Sequence, residues 1–296
     1  MRHRIEYAIL RGVAAIAARM SRSTAWIVAG WLARVFAIIG AHRVTVAGDN
    51  LRAAFPDASN EEIERLSLAS VRHLLQTFLE IPSLARAARP DIERAVTLAN
   101  PDMVMDLLHR HGRVIFLSAH YGNWELGALC CALQLHSPFT IVGKPQHNPY
   151  IDRYLNHMRE RFGNRIIPMD GALRSLLRTL DAGGSVALLA DQSGEENDIF
   201  VPFFNRPAAT TKAVAALSLK RDVPIVIGLV HRREDLTYEL EFVEVPRGDL
   251  HGLSEPNVAA LTARHVQTLE TLIRRAPEQW LWMHRRWKYL EHAATN

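Results

Sequence analysis

Cysteine is nearly absent. The 296-residue chain has two, Cys130 and Cys131, adjacent in one apolar run. Neighbouring cysteines cannot staple a fold, so a disulfide framework is excluded and buried thiols in a reducing compartment are expected. Zinc-finger spacing, an RNP-like aromatic motif and a basic heptad region are all missing. The net charge of only +4 is spread along the chain, which argues against a nucleic-acid partner. No Gly-x-Ser-x-Gly elbow occurs, which counts against a serine hydrolase. No small-residue cleavage pattern follows the first apolar stretch, so a secretory signal is rejected. Internal repeats, low-complexity tracts and a clean linker are lacking as well.

What is present is the composition of a globular protein, 48% hydrophobic and 22% charged. The length suits one large α/β domain or two smaller ones. A sequence pI near 9.3, with Arg outnumbering Lys, suits a surface near anionic lipid or an acidic carrier.

Arg and apolar residues alternate from Arg2 to Met20, and a denser apolar run follows from Trp26. Ser23 to Ala41 contains one charge, Arg34. That length approaches the roughly 20 residues that span a bilayer. Arg34 would cost about 2.5 kcal/mol or more inside it unless it snorkelled. Two readings fit: a hydrophobic helix in or partly across a membrane with Trp26 and Trp31 at the interface, or a buried helical hairpin. Arg2, Arg4, Arg11, Arg19 and Arg22 favour membrane contact on the cytoplasmic side.

Beyond this extension the chain alternates strands and helices. Ser59 with Glu62 has capping-box spacing, and the helix it opens is expected to stop at Pro82. Strands are expected at Val114–Leu117, Phe139–Val142, Arg165–Pro168, Ser185–Ala190 and Val223–Val230. The alternating Tyr238–Val243 reads as an antiparallel edge or half-exposed strand. Helices are expected between them and at Asn257–Arg275. The fold class is therefore α/β, a mainly parallel central sheet flanked by helices, with a hydrophobic helical N-terminal extension. The boundary is expected near residue 45, with helices over 1–45 and the α/β domain over 46–296.

The chemistry concentrates at His120. The apolar strand leads into it, and Asn123 is placed to cap a following helix whose first turn holds Glu125. On a single helix these two side chains would stand about 140° apart and could not meet. With His120 in a strand-to-helix turn, the loop can fold it onto Glu125. A His held by a carboxylate is the base and orienter of a catalytic dyad, although a loop His near a Glu is often only polar decoration. His120, Lys144, and Asp191 with Gln192 all fall at the carboxyl ends of expected strands, the edge where parallel sheets bind ligands.

At these residues the chain resembles a known family. His-Tyr-Gly-Asn-Trp-Glu over 120–125 is similar to the His-x4-Asp/Glu motif of glycerolipid-type acyltransferases, and more fully to the bacterial lipid A late acyltransferases. Four other stretches agree in order. They are Asn-Leu-Arg-Ala-Ala-Phe-Pro over 50–56, Lys-Pro-Gln-His-Asn-Pro over 144–149, Asp191-Gln192 with the Phe-rich run from Phe200, and the segment Pro277–Lys288. There are two departures. Lys144 stands where Arg is expected, keeping the charge without the bidentate fork, and Asn205 stands where Gly is usual.

The resemblance implies transfer of a fatty acyl chain from acyl carrier protein to a hydroxyl of an acylated lipid A precursor, at the cytoplasmic face of the inner membrane. It implies no metal and no organic cofactor. His120 would take the hydroxyl proton and Glu125 would orient the ring. Backbone N–H groups near Asn123 and Trp124 would receive the oxyanion. Lys144 would bind a phosphate or remain a solvated turn residue. Asp191 and Gln192 would bind the sugar or brace the His120 loop. Phe200, Phe203 and Phe204 would line an acyl channel or form core. Arg285 and Arg286, beside His284, would meet acceptor phosphates or pack a C-terminal helix. The alternatives are another glycolipid or phospholipid acceptor, an acyl-CoA donor, or a non-catalytic membrane-binding protein.

Overall fold

A computed structural model describes residues 1–289. The N-terminal layer is helical: α1 (Arg2–Ala17), α2 (Arg22–Ile39), α3 (Ala41–Ala54), α4 (Asn60–Leu84) and the short α5 (Arg89–Ala95). Ser59 caps α4, its Oγ accepting from the Glu62 amide at 3.1 Å. The helix runs past Pro82 to Leu84 instead of stopping there. Only Ser83 and Leu84 follow the proline, so the perturbation it causes is confined to the helix end.

The α/β part follows as β1 (Val96–Leu98), α6 (Pro101–His111), β2 (Ile115–Ser118), α7 (Trp124–Gln134), β3 (Phe139–Gly143), α8 (Pro149–Glu160), β4 (Arg165–Pro168), α9 (Ala172–Asp181) and β5 (Ser185–Leu189). Then come a hairpin of β6 (Ile199–Phe203) and β7 (Arg206–Thr210), α10 (Ala213–Arg221), β8 (Ile225–Arg232), β9 (Tyr238–Glu244) and α11 (Glu255–Arg275). A single 3-10 turn, Pro277–Gln279, leads into the C-terminal segment.

Seven strands form one sheet in the order β1-β9-β8-β2-β5-β3-β4. Every pair is parallel except β8 with β9. Strand β9 is antiparallel as its alternation suggested, but it is not the edge, because β1 pairs along its other side. Successive residues of β2 feed opposite faces. Ile115 and Leu117 join Val186, Ile225 and Ile227 in the core under α9–α11. Phe116 joins Val226, Val230 and Leu240 in the core under α6 and α7.

Helix α2 packs along α4 through Ala25, Ala29 and Ala33, a stripe of small residues that lets the two backbones approach. Its larger apolar side chains face outward: Ile27, Trp31, Leu32, Val35, Ile38 and Ile39 are exposed, as are Ile5, Ile9, Val13 and Ile16 of α1. A buried hairpin would hide these residues, so that reading is set aside. Among the described residues, α2 is the one helix long and apolar enough to cross a membrane by length and composition.

Candidate active site

The carboxyl ends of β2, β3 and β5 converge on one edge of the sheet, and the turn after β2 is clamped there from three sides. Gly122 takes a positive φ of 55°, and a Cβ on it would lie 1.8 Å from the Val230 carbonyl oxygen. Glycine is thus required both by conformation and by close approach. The Gly122 amide donates to the Gln279 carbonyl at 3.0 Å, and the Leu281 amide donates to the His120 carbonyl at 3.1 Å. From α4, the Thr77 hydroxyl donates to the Gly122 carbonyl at 2.7 Å.

The His120 ring is held by Asp191. Ring Nδ1 lies 2.9 Å from Oδ1, and the His120 amide donates to Oδ2 at 2.8 Å. Trp280 Nε1 also donates to Oδ2, at 2.9 Å. The strand pairing explains the match. Ser118 of β2 sits opposite Leu189 of β5, so the residues two further on, His120 and Asp191, emerge at the same level. Pairing Nδ1–H with a carboxylate leaves Nε2 as the basic nitrogen. Burial disfavours the imidazolium, but the charge of Asp191, its hydrogen bond and the charge of Glu125 outweigh it, so His120 titrates above the usual imidazole value of 6.5. Burial likewise pushes the Asp191 carboxyl up, and His120 with the bonds from its ring, its amide and Trp280 brings it below 3.8.

Glu125, expected as the orienter, is engaged elsewhere. It sits in the first turn of α7 and is gripped by Arg159 of α8, with Nε at 3.0 Å from Oε2 and Nη2 at 2.5 Å from Oε1. Its influence on His120 is through charge, while the Nδ1 position is filled by Asp191. Spacing in the chain suggested Glu125; adjacency of β2 and β5 selects Asp191.

His120 opens onto a cavity of about 440 Å³ between the sheet and α7, within the range of small-molecule sites. Lys144, Gln192, Glu125 and Arg159 supply its polar groups near the mouth. Below them the wall is apolar: Ile141, Ala187 and Phe116 share one level of the sheet, Phe139 lies one level deeper, and Ala128 and Cys131 of α7 face them. The Phe116 and Phe139 rings meet at 5.2 Å. The depth from His120 to Phe116 along β2 is about 13 Å, four residues of strand rise.

The other expected contacts divide between their alternatives. Asn123 is fully buried; it caps α7 by accepting from the Leu126 amide at 3.0 Å and donates to Glu80 at 2.7 Å, so both ends of its side-chain amide are engaged within the protein, and it does not line the cavity. Of the two arrangements expected for Asp191, the contacts are those of a brace: both oxygens are engaged by His120 and Trp280. Arg286 is buried and donates to the Ala209 carbonyl and the Thr210 hydroxyl, away from the cavity. Arg285 is exposed, near His42 of α3 at 3.0 Å, and does not line the cavity. Phe203 and Phe204 are core residues: Phe203 stacks on Trp287 and meets Trp280 edge to face, Phe204 meets Trp282 edge to face, and Phe200 is outside the cavity lining. Lys144 and Gln192 do reach the site. Arg159 and Glu80 carry no local sequence signal, whereas Trp280 belongs to the Pro277–Lys288 segment, whose pattern does not disclose its bond to Asp191.

A family profile described as bacterial lipid A biosynthesis acyltransferase matches residues 2–289. Curated relatives from Escherichia coli (strain K12) include a lipid A biosynthesis palmitoleoyltransferase, 26% identical over 83% of this chain and 79% of its own length. A lipid A biosynthesis lauroyltransferase is 23% identical over the same shares. A lipid A biosynthesis myristoyltransferase is 27% identical over 79% of this chain and 72% of its own length.

Proposed function

The chain belongs to the bacterial lipid A biosynthesis acyltransferase family and is an acyltransferase, and we propose that it moves a fatty acyl chain from acyl carrier protein to a hydroxyl of an acylated lipid A precursor. The observation that carries this reading is the His120–Asp191 pair at the mouth of a deep apolar cavity. A hydroxyl is a poor nucleophile at neutral pH, and His120 Nε2 takes its proton as the oxygen attacks the thioester carbonyl. The C–S bond then breaks, and the proton passes from the imidazolium to the leaving thiolate. No acyl-enzyme is needed. Asp191 fixes the tautomer and stabilises the imidazolium. The start of α7, whose Trp124 ring meets the His120 ring at 5.2 Å, supplies amide dipoles for the oxyanion.

The apolar cavity accepts the acyl chain, while Lys144 and Gln192 hold polar parts of donor or acceptor at its rim. Lys144 offers a point charge to a phosphate. The exposed apolar faces of α1 and α2 rest on the cytoplasmic face of the inner membrane, where a lipid acceptor meets a soluble donor. Purified protein given acyl carrier protein thioester and lipid A precursor should yield a precursor heavier by one acyl chain in mass spectrometry. Transfer from acyl-CoA alone, or onto a phospholipid in preference to the lipid A precursor, would overturn the assignment of donor or acceptor.

A further inference from the structure

The one charge of α2 lies in an instructive place. On a wheel of 100° per residue, the exposed Ile27, Trp31, Leu32, Val35, Ile38 and Ile39 span about 140°, and Arg34 stands about 20° outside that arc. The neighbouring stripe reads Trp26, Gly30, Arg34, one residue per turn. Arg72 of α4 lies along it. Its Nε and Nη2 donate to the Trp26 carbonyl at 3.2 and 3.1 Å, and its guanidinium sits 3.6 Å from the centre of the Trp26 ring. A Cβ on Gly30 would come within 3.1 Å of Arg72 Nε, so glycine leaves the slot in which the guanidinium rests. Arg34 follows one turn later.

No carboxylate answers either arginine among the described residues. Burial first, and the nearby Arg34 charge second, hold the Arg72 guanidinium below its ordinary pKa. Two cations one helical turn apart along the stripe that flanks the exposed apolar arc, Arg34 nearest its rim, lack a carboxylate partner. A phosphate between them would relieve the repulsion and satisfy their remaining N–H donors.

We infer that Arg34 and Arg72 form a clamp for the phosphate of an anionic phospholipid, and that α2 lies in the plane of the membrane interface instead of crossing it. This rests on the membrane reading of the N-terminal helices. Two observations favour lying over crossing. A crossing would strand Arg34 in hydrocarbon. It would also draw in α4, which packs along α2 and exposes Glu61, Glu62, Glu64 and Arg65. In the plane, both guanidinium groups sit at headgroup level while the arc enters the acyl region.

Vesicle flotation of the full chain tests the clamp, using phosphatidylcholine vesicles and vesicles that also contain phosphatidylglycerol. Wild type should bind both, the anionic ones more tightly. Arg34→Gln should lose about fivefold in affinity for the anionic vesicles alone, the expected worth of one basic residue near the surface. Arg72→Lys, which keeps charge but loses the fork, should lose part of the same preference. Arg174→Gln, on the distant α9, should behave as wild type. Undiminished binding of Arg34→Gln to anionic vesicles overturns the clamp. Failure of wild type to bind either vesicle overturns the membrane reading beneath it. Transfer to detergent-dispersed acceptor should be unchanged in Arg34→Gln; a fall there would mean that the clamp holds the acceptor's phosphate, contrary to the inference.

Discussion

In the proposed reaction, the reactivity of His120 turns on Asp191. Replacing it with Asn keeps size but loses the carboxylate that accepts from both the His120 ring and amide. Turnover should fall by about 10³–10⁴, with KM little changed, as in other His–carboxylate pairs forced into the wrong tautomer. The pH dependence follows from the shift. Only neutral His120 can act as base, and its pKa is raised, so activity should climb with pH through that raised value. In Asp191→Asn the residual activity should climb at lower pH, because the charge and hydrogen bond that favour the imidazolium are gone. A pH–rate profile with an unmoved acidic limb would count against Asp191 as His120's partner. Glu125→Gln is a different lesion. It leaves Arg159 without its buried partner and should cost about 3 kcal/mol of stability, visible in denaturant unfolding. His120 was legible from its place between a strand and a helix. Asp191 was legible only as a sugar ligand or a brace of the His120 loop and not as the partner of the ring, because it is 71 residues away and only the order of the strands brings the two together.

At the scale of elements, the turn after β2 depends on Gly122. Gly122→Ala would place a methyl against the Val230 carbonyl in a backbone conformation that L-residues disfavour. Transfer should be lost and the melting temperature lowered, and a variant with native activity would show that the turn is not so confined. Most strands and helices were readable from apolar runs and caps because local patterning suffices for them. Strand β1 was not readable, since three residues become a strand only by pairing with β9. Nor was the β6–β7 hairpin, whose reversal rests on positive φ at Phe204 and Asn205. Asn at the second position suits that geometry and accounts for its presence where Gly was expected. The apolar character of α2 was readable, but its direction was not. Truncating it would uncover the face of α4 that Ala25, Ala29 and Ala33 cover. Trp31→Asp is the cleaner test: it should release the protein from vesicles while its circular dichroism stays native.

At the scale of the whole molecule, the sheet separates two cores and opens one cleft above the strands that carry His120, Lys144 and Asp191. The sequence pointed to that edge because polar residues follow apolar runs there. The cavity beneath was hidden, since its walls come from five strands, β2, β3, β5, β8 and β9, and three helices, α4, α7 and α8. Relatives named for lauroyl, myristoyl and palmitoleoyl transfer resemble this chain to nearly the same degree, so identity does not choose the acyl chain. Cavity depth offers a physical criterion. Phe139→Ala, which removes a ring from the deepest level, should raise the share of longer acyl donors used, measured by competition between thioesters. The account as a whole stands on His120 as the base of an acyl transfer. Mass spectrometry of the lipid A precursor after incubation with acyl carrier protein thioester and either wild type or folded His120→Ala addresses it most directly. The account expects one added acyl chain with wild type and none with the variant; an acylated product formed by the variant at a comparable rate would contradict it.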